Sequence, residues 1–159
     1  MNANNSLDSV DRKILSILQE NGRITNVKLA SQVGLSPPTV LERVRKLEER
    51  GIIEKYVALV DPAKVGLGLC AYVQVSLSFH RRKEIDHFRK EVLGFPEVLE
   101  CYHVSGEGDY LLKVPAKDIQ AYRDWLVTRL TALEVVQRVQ TIIVFETMKR
   151  ETKLSVDEG

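Results

Sequence analysis

The segment from Thr25 to Gly51 constrains the fold of this chain most strongly, because it has the pattern of two short helices joined by a tight turn. Thr25 can cap the first helix, and Gly34 can form the turn, since glycine adopts a left-handed backbone at little cost. Ser36 can cap the second helix, and Pro37 suits its first turn, where no backbone N–H is needed. The sequence therefore predicts a helix-turn-helix, a motif that can present its second helix to the DNA major groove.

The second helix of this motif is predicted to bury one face and expose the other. Val40, Val44 and Leu47 recur at the spacing of a buried helical face. The opposite face carries polar and basic side chains, and the N-terminal half of such a helix is the part that reaches base edges. We therefore predict that double-stranded DNA is contacted by Lys28, Ser36, Pro38, Thr39, Glu42, Arg43, Arg45 and Lys46.

Different roles are expected within this set. Arg43 can pair bidentately with guanine, and Glu42 can accept a hydrogen bond from cytosine. Lys28, Arg45 and Lys46 are better placed for phosphates, which position a protein without reading the sequence. The alternative is a solvated helix face, because acidic residues are interleaved with the basic ones. The turn chemistry ahead of the helix favours the DNA-binding interpretation.

Composition narrows the classes of function. A chain of 159 residues forms one or two small domains, and its net charge of +1 requires a DNA-binding protein to localise its positive charge. The apolar runs are too short to span a membrane and the N-terminus has no signal-peptide core, so we expect a cytoplasmic protein with no membrane partner. Cys70 and Cys101 lie in apolar, strand-like runs and are predicted to be small buried residues.

A third helix is predicted ahead of the motif, capped by Asp8 and ended by Asn21-Gly22. Its apolar stripe can share a small core with the other two helices and consists of Leu7, Val10, Ile14, Leu15 and Leu18. After the motif, residues 56–60 have strand character and could form a short wing or a link to a dimer mate. We predict a DNA-binding domain of residues 1–61 and a turn-rich linker of residues 62–69.

Residues 70–159 have the pattern of a second domain, which makes the fold class α+β. Strand-like and helix-like segments follow in the order strand, helix, strand, strand, helix, strand, the split βαβ order of a ferredoxin-like sandwich. The predicted strands are residues 70–77, 98–104, 110–114 and 135–145. The predicted helices are residues 84–93 and the segment that Asp118 caps.

A sheet with both helices on one side leaves its second face bare. Val73, Val75 and Leu77, with the apolar last strand, suggest more hydrophobic surface than water would tolerate there. A two-fold homodimer that stacks sheet on sheet would cover this face and pair two DNA-binding helices. The alternative is a monomer whose tail, residues 147–159, folds over the sheet.

The turn formed by Ser105, Gly106, Glu107, Gly108 and Asp109 is a second candidate site. Its two glycines permit a tight turn and can offer N–H groups to an anion such as an α-carboxylate. Asp109 could receive an α-ammonium through a charge-assisted hydrogen bond. On spacing alone, a hairpin turn in which Asp109 is a local cap is the favoured interpretation.

No catalytic or metal-binding pattern accompanies these segments. His80, His87 and His103 lack metal-ligand spacing, and no Ser/His/Asp order, P-loop or dinucleotide fingerprint occurs. We therefore expect a protein that is not an enzyme and that needs no metal or cofactor.

Two segments resemble the leucine-responsive/asparagine-regulator (Lrp/AsnC) family of bacterial and archaeal transcription factors. They are LDSVDRKILSILQENGRITNVKLASQVGLSPPTVLERVRKLEERGIIEKYVALVDPAKVGLG and ECYHVSGEGDYLLKV, and the resemblance runs from Leu7 to about Leu154. It implies an N-terminal winged-type helix-turn-helix domain and a C-terminal ferredoxin-like domain of the type that regulates amino-acid metabolism, here residues 70–159. In the family that second domain mediates dimerisation, often assembly to octamers, and binding of a small effector, usually an amino acid.

The same resemblance implies where the effector binds. In relatives the glycine turn lines a pocket between neighbouring dimers, so Ser105 to Asp109 would contribute to it. The helix start at Ile119 and the strand around Ile142 and Ile143 would form its wall. The expected function is a sequence-specific, nucleoid-associated transcriptional regulator controlled by an amino acid. The alternative is an architectural DNA-binding protein that needs no effector.

Overall fold

Three capped helices form the first part of the protein, seen in a computed structural model that describes residues 7–78 and 81–156. They are α1 (Ser9–Glu20), α2 (Asn26–Val33) and α3 (Pro37–Glu49). The side chains of Asp8, Thr25 and Ser36 each accept a backbone N–H in the first turn of their helix, so the three predicted N-caps are confirmed.

Two glycines end the helices of the motif as the sequence predicts. Gly34 follows α2 with a φ of 76°, and Gly51 follows α3 with a φ of 67°. After α3, the N–H groups of Gly51 and Ile52 donate to the carbonyls of Glu48 and Leu47, each at 2.9 Å. This pairing satisfies carbonyls that the end of a helix leaves without partners. The core that the helices share consists of Ile14, Leu15, Leu29, Ala30, Val40 and Leu47.

The predicted strand at residues 56–60 is wrong for the described chain. Residues 54–60 form neither helix nor strand, and Val57 and Leu59 are more than half exposed. A strand needs a neighbouring strand for its backbone hydrogen bonds. Among the described residues, the sheet consists of four strands elsewhere in the chain, and residues 56–60 do not pair with any of them.

The C-terminal tail belongs to the same compact unit as the helices, which comprises Met1–Leu59 and Lys149–Gly159, whereas Val60–Met148 forms a second unit. The side-chain amide of Gln19 pairs with both backbone groups of Leu154, at 2.7 and 3.0 Å. Arg12 donates to the carbonyl of Val156 at 2.6 Å, and Val156 packs against the core of the three helices. The described tail therefore lies on α1 rather than over the sheet, and the boundaries of the predicted domain of residues 70–159 stay a prediction.

A chain that ends at Arg150 is expected to lose about 1–3 kcal/mol of stability in the helical unit, because these hydrogen bonds and the contact of Val156 disappear. Amide hydrogen exchange in α1 measures this directly. The fluorescence of Trp125, the one tryptophan of the sequence, belongs to the second unit and serves as the control. Unchanged protection of α1 would show that the tail contributes nothing to stability.

The second unit has the predicted order of elements. Its strands are β1 (Leu69–Leu77), β2 (Glu100–His103), β3 (Tyr110–Ala116) and β4 (Val136–Ile143). Helix α4 (Arg82–Leu93) follows β1, and α5 (Ile119–Trp125), capped by Asp118, follows β3 and continues into a π-helical turn, Leu126–Leu130. The strands pair antiparallel in the order β2-β3-β1-β4, which confirms the ferredoxin-like α+β fold.

The prediction of which β1 residues lie on the bare face of this sheet is wrong. Val73, Val75 and Leu77 are at most 2% exposed and pack with Phe88 and Trp125 of the helices rather than on the bare face. Because side chains alternate along a strand, the bare face of β1 carries the intervening residues. Those residues are Tyr72, Gln74 and Ser76, which pair or lie beside Lys113, Leu111, Ile142, Gln140 and Arg138 on the neighbouring strands.

Both cysteines are less buried than predicted. Cys101 is exposed and Cys70 is half-buried, because the first lies on the edge strand β2 and the second near the start of β1. Over residues 7–78 and 81–156, no helix has the length and hydrophobicity needed to cross a membrane.

Candidate DNA interface and ligand site

Helix α3 is held at its N-terminus by polar contacts as well as by its buried face. The side-chain amide of Asn26 in α2 donates to the carbonyl of Pro37 at 2.7 Å. The hydroxyls of Ser36 and Thr39 lie 2.7 Å apart in the first turn of α3. Because Val40 is completely buried in the core, the side chains on the opposite face of α3 project into solvent.

Most of the residues predicted to contact DNA are exposed to solvent, on α3 or beside it. Seven of the eight are exposed, namely Lys28, Ser36, Pro38, Thr39, Glu42, Arg45 and Lys46. The charged ones on α3 also interact with each other. Glu42 lies 3.3 Å from Arg45 and 3.6 Å from Lys46, and Arg45 lies 3.4 Å from Glu49. The hydrogen bond from Arg45 lowers the pKa of the Glu42 carboxyl, so this acid is ionised on the exposed face of α3.

Arg43 is the exception, and its predicted exposure is wrong. Its side chain is 31% exposed and turns towards α1, where its Nη1 lies 2.7 Å from Asp8 and 2.8 Å from Asp11. The two carboxylates attract a guanidinium that helical spacing alone would assign to the open face of α3. The hydrogen bonds that Arg43 donates to Asp8 and Asp11 raise the pKa of its guanidinium above the ordinary value.

Two exposed apolar residues of the motif were not predicted as site residues. Val27 in α2 is 67% exposed and Leu41 in α3 is 59% exposed. Apolar side chains at a major-groove surface can contact the methyl group of thymine. The signal was present in the sequence, because Leu41 falls outside the buried spacing of Val40, Val44 and Leu47.

The glycine turn folds tightly onto β1. Gly106 has a φ of 124°, and a Cβ on Gly108 would lie 2.4 Å from Cγ of Gln74. The hydroxyl of Ser76 donates to the carbonyl of Glu107 at 3.3 Å. Glycine is therefore required at both positions, for backbone conformation at Gly106 and for space at Gly108.

Asp109 has a structural role in this turn. Its N–H donates to the carbonyl of Val75 at 2.8 Å, and its carboxylate accepts the N–H of Leu77 at 2.8 Å. The second bond lies where the pairing of β1 with β4 is irregular between Ser76 and Leu77, so the carboxylate supplies an acceptor at that break in register. This bond joins the turn to a residue 32 positions earlier in the chain, so it differs from the local turn cap that spacing alone favours.

The residues predicted to bind an effector do not come together within one chain. The glycine turn contacts β1 from Gln74 to Leu77, whereas Ile142 pairs with Tyr72, about 7–17 Å further along the strand. Ile142 lies on the bare face and is 48% exposed. Ile143, one residue on, packs against the helix-side core, and Ile119 is exposed at the start of α5. A single protomer therefore cannot form a pocket from the turn and all three isoleucines.

Another depression in the second unit contains none of these residues. Its volume is about 460 Å³, and it is lined by Lys83, Glu84, His87 and residues 132–135. In residues 7–78 and 81–156, no three His, Cys, Asp or Glu side chains are grouped so that they could hold a metal ion.

A helix-turn-helix on a three-helix core, followed by a separate βαββαβ domain, is the architecture of a DNA-binding regulator with its own sensory domain. Family comparisons agree with this class. Residues 7–54 match the family described as winged helix-turn-helix DNA-binding, and residues 70–154 match the Lrp/AsnC ligand binding domain.

Similar proteins extend this agreement over nearly the whole chain. The transcriptional regulator AzlB of Bacillus subtilis is 39% identical over 96% of this chain and 97% of its own length. The leucine-responsive regulatory protein of Escherichia coli is 41% identical over 94% of this chain and 92% of its own. The chain belongs to the Lrp/AsnC family of transcriptional regulators.

Solved structures show the same fold. A transcriptional regulator from Neisseria meningitidis, crystallised in complex with L-Met, has a TM-score of 0.89 and 40% identity and covers 94% of this chain and 96% of its own. The AsnC protein of Escherichia coli has a TM-score of 0.86 and 28% identity and covers 93% and 98% of the two chains.

Proposed function

We propose that this regulator binds specific double-stranded DNA sequences through α3 and that an amino acid controls its DNA binding or its assembly. The observation that supports DNA binding is that α3 is capped at its N-terminus and exposes one face to solvent. In this proposal Ser36, Pro38, Thr39 and Glu42 approach base edges, and Lys28, Arg45 and Lys46 contact phosphates. Because its target is DNA, the protein would act in the cytoplasm at the nucleoid.

Substituting Lys46 by alanine is expected to weaken binding to every duplex by a similar factor and to reduce the slope of log affinity against log salt by about 1, since one phosphate contact is lost. Fluorescence anisotropy with several duplexes over a range of salt concentrations measures both effects. Thr39→Ala is the matched comparison, because it should change sequence preference and leave the salt slope unaltered. Identical behaviour of the two variants would contradict this division of roles.

The assembly that we propose is a homodimer, with further association towards an octamer. On the bare face of the sheet, Tyr72 and Leu111 lie among polar residues such as Gln74 and Lys113, and Ile142 is half exposed. A second copy stacked on this face would remove the apolar side chains from water. Further copies could bring the glycine turn of one chain to the isoleucines of another, which one chain alone keeps apart.

The effector that we propose is an amino acid, supported by the similarity to the regulator crystallised with L-Met and by the donors of the glycine turn. An α-carboxylate would accept N–H groups of residues 105–108, and an α-ammonium would lie near Asp109. Thermal unfolding with each common amino acid would identify the effector, because a ligand of the native state raises the melting temperature.

Asp109→Asn separates the two roles of this carboxylate. Asparagine keeps an oxygen that can accept the N–H of Leu77 but removes the negative charge, so stability should be retained while amino-acid affinity falls about tenfold or more. Asp109→Ala should lose both stability and affinity. Isothermal titration calorimetry, with sedimentation velocity to follow assembly, provides the measurements.

Full amino-acid affinity in the asparagine variant would contradict the role of Asp109 as the ammonium partner. If no amino acid alters stability, assembly or the DNase footprint of the wild-type protein, the effector proposal fails, and the architectural alternative accounts for the DNA-binding domain.

A further inference from the structure

A single guanidinium nitrogen joins α3 to the first turn of α1. Nη1 of Arg43 lies 2.7 Å from Oδ2 of Asp8 and 2.8 Å from Oδ1 of Asp11. The other oxygen of Asp8 accepts the N–H of Asp11 at 2.7 Å and so caps α1. Asp11 is buried, with 9% of its surface exposed. The charge on α3 and the cap of α1 are thus parts of one hydrogen-bonded group.

The contacts of Arg43 with Asp8 and Asp11 do not suit direct base recognition by Arg43. Bidentate recognition of guanine needs a guanidinium directed at the groove, whereas that of Arg43 is directed at α1. Withdrawing it would leave the buried carboxylate of Asp11 without this ion pair, which is unfavourable. The N–H of Asp11 and the side chain of Arg43 also lower the pKa of the Asp8 carboxyl, so Asp8 is charged at neutral pH.

We propose that Arg43 is a positioning residue for DNA recognition, which sets the orientation of α3 by tying its middle to the N-terminus of α1. The first turn of α3 is held separately by the bond from Asn26 to the carbonyl of Pro37. Two polar attachments, one to each neighbouring helix, restrict rotation and tilt of α3 more than its apolar face does alone. This inference rests on the proposed sequence-specific binding by α3.

Removing the two acids provides a test in which positioning and simple electrostatics predict opposite results. Asp8→Asn/Asp11→Asn removes two negative charges from a DNA-binding unit, so electrostatics alone would strengthen binding to any duplex. Asparagine remains a good N-cap, so α1 can still begin at Ser9. Positioning requires instead that binding to a preferred sequence weakens while binding to other DNA is unchanged or strengthened.

The probes are a duplex enriched from a random pool by the wild-type full-length protein and a scrambled duplex of the same length and composition. We expect the double variant to lose about tenfold or more of the affinity ratio between the two duplexes, a change of about 1.4 kcal/mol or more. Arg43→Gln should give the same loss, and the triple variant should lose no more than either. In all of these variants, the preference for one base over another should weaken at several positions of the duplex together.

Two further variants keep the result interpretable. Asp8→Asn alone, at a half-exposed position, should give a smaller loss in the same direction if the double variant does not fold. Glu54→Gln removes one exposed charge from the same unit and should leave the affinity ratio unchanged.

Direct base reading by Arg43 would give a different pattern. Asp8→Asn/Asp11→Asn would then bind the enriched duplex as tightly as the wild type or more tightly, and Arg43→Gln would lose preference at one base pair only. That result would overturn the positioning role and leave the proposed function intact. A wild-type protein that enriches no sequence would overturn the proposed function, and the inference with it.

Discussion

Substituting Leu47 by alanine is expected to destabilise the DNA-binding unit by about 2–5 kcal/mol, because the change removes a buried side chain and leaves a cavity. Leu47 is 1% exposed and is part of the core formed by α1, α2 and α3. Since small domains are stable by only about 5–15 kcal/mol, much of the unit's stability would be lost. Specific DNA binding should fall with it, although Leu47 has no part in the exposed surface of α3.

Hydrogen exchange in α1 to α3, combined with urea unfolding, measures this loss. Leu41→Ala is the matched control, because it makes the same chemical change on the same helix at a side chain that is 59% exposed. We expect the control to change stability by no more than about 0.5 kcal/mol. If the two variants have equal stability, α3 does not pack as described.

Substituting Gly108 by alanine is expected to destabilise the second unit by about 1–3 kcal/mol, because the added methyl would overlap Gln74. A Cβ atom added to Gly108 would lie 2.4 Å from Cγ of Gln74 and 2.8 Å from its Nε2. Either the side chain of Gln74 must therefore move or the turn must lift away from β1. Lifting the turn would also displace Asp109 from the N–H of Leu77 and alter the proposed effector site.

A second substitution identifies the cause. Gln74→Ala removes the overlapping atoms, so the double variant Gln74→Ala/Gly108→Ala should recover most of the lost stability in urea unfolding followed by Trp125 fluorescence. Gly106→Ala should not be rescued in this way, since a Cβ there meets nothing within 4 Å and its cost comes from the φ of 124°. Failure of Gln74→Ala to restore the Gly108 variant would exclude this overlap as the cause.

Local chemistry made the helices of the first unit predictable. Asp8, Thr25 and Ser36 have short polar side chains that satisfy N–H groups a few residues away, and Gly34 and Gly51 adopt positive φ. Each of these effects acts within one turn of chain. The order of elements in the second unit was predictable for the same reason, because the period of hydrophobicity changes from strand to helix.

Long-range contacts limited the prediction of the site. Alternation shows that Val73 and Val75 share a face of β1, but only the positions of the helices decide which face that is. Arg43 has the spacing of an exposed α3 residue, yet acids more than thirty positions earlier bind it. The roles of individual residues thus depend on neighbours distant in sequence, which a single sequence does not identify.

The position of the tail limits when the helical unit can finish folding during synthesis. Residues 149–156 pack on α1, so the helical unit consists of the first and the last parts of the chain with the whole βαββαβ unit between them. A ribosome releases the N-terminus first, and domains generally fold as they emerge. The helix-turn-helix can therefore form early during synthesis, but it gains its final contacts only after the ligand-binding domain has left the ribosome.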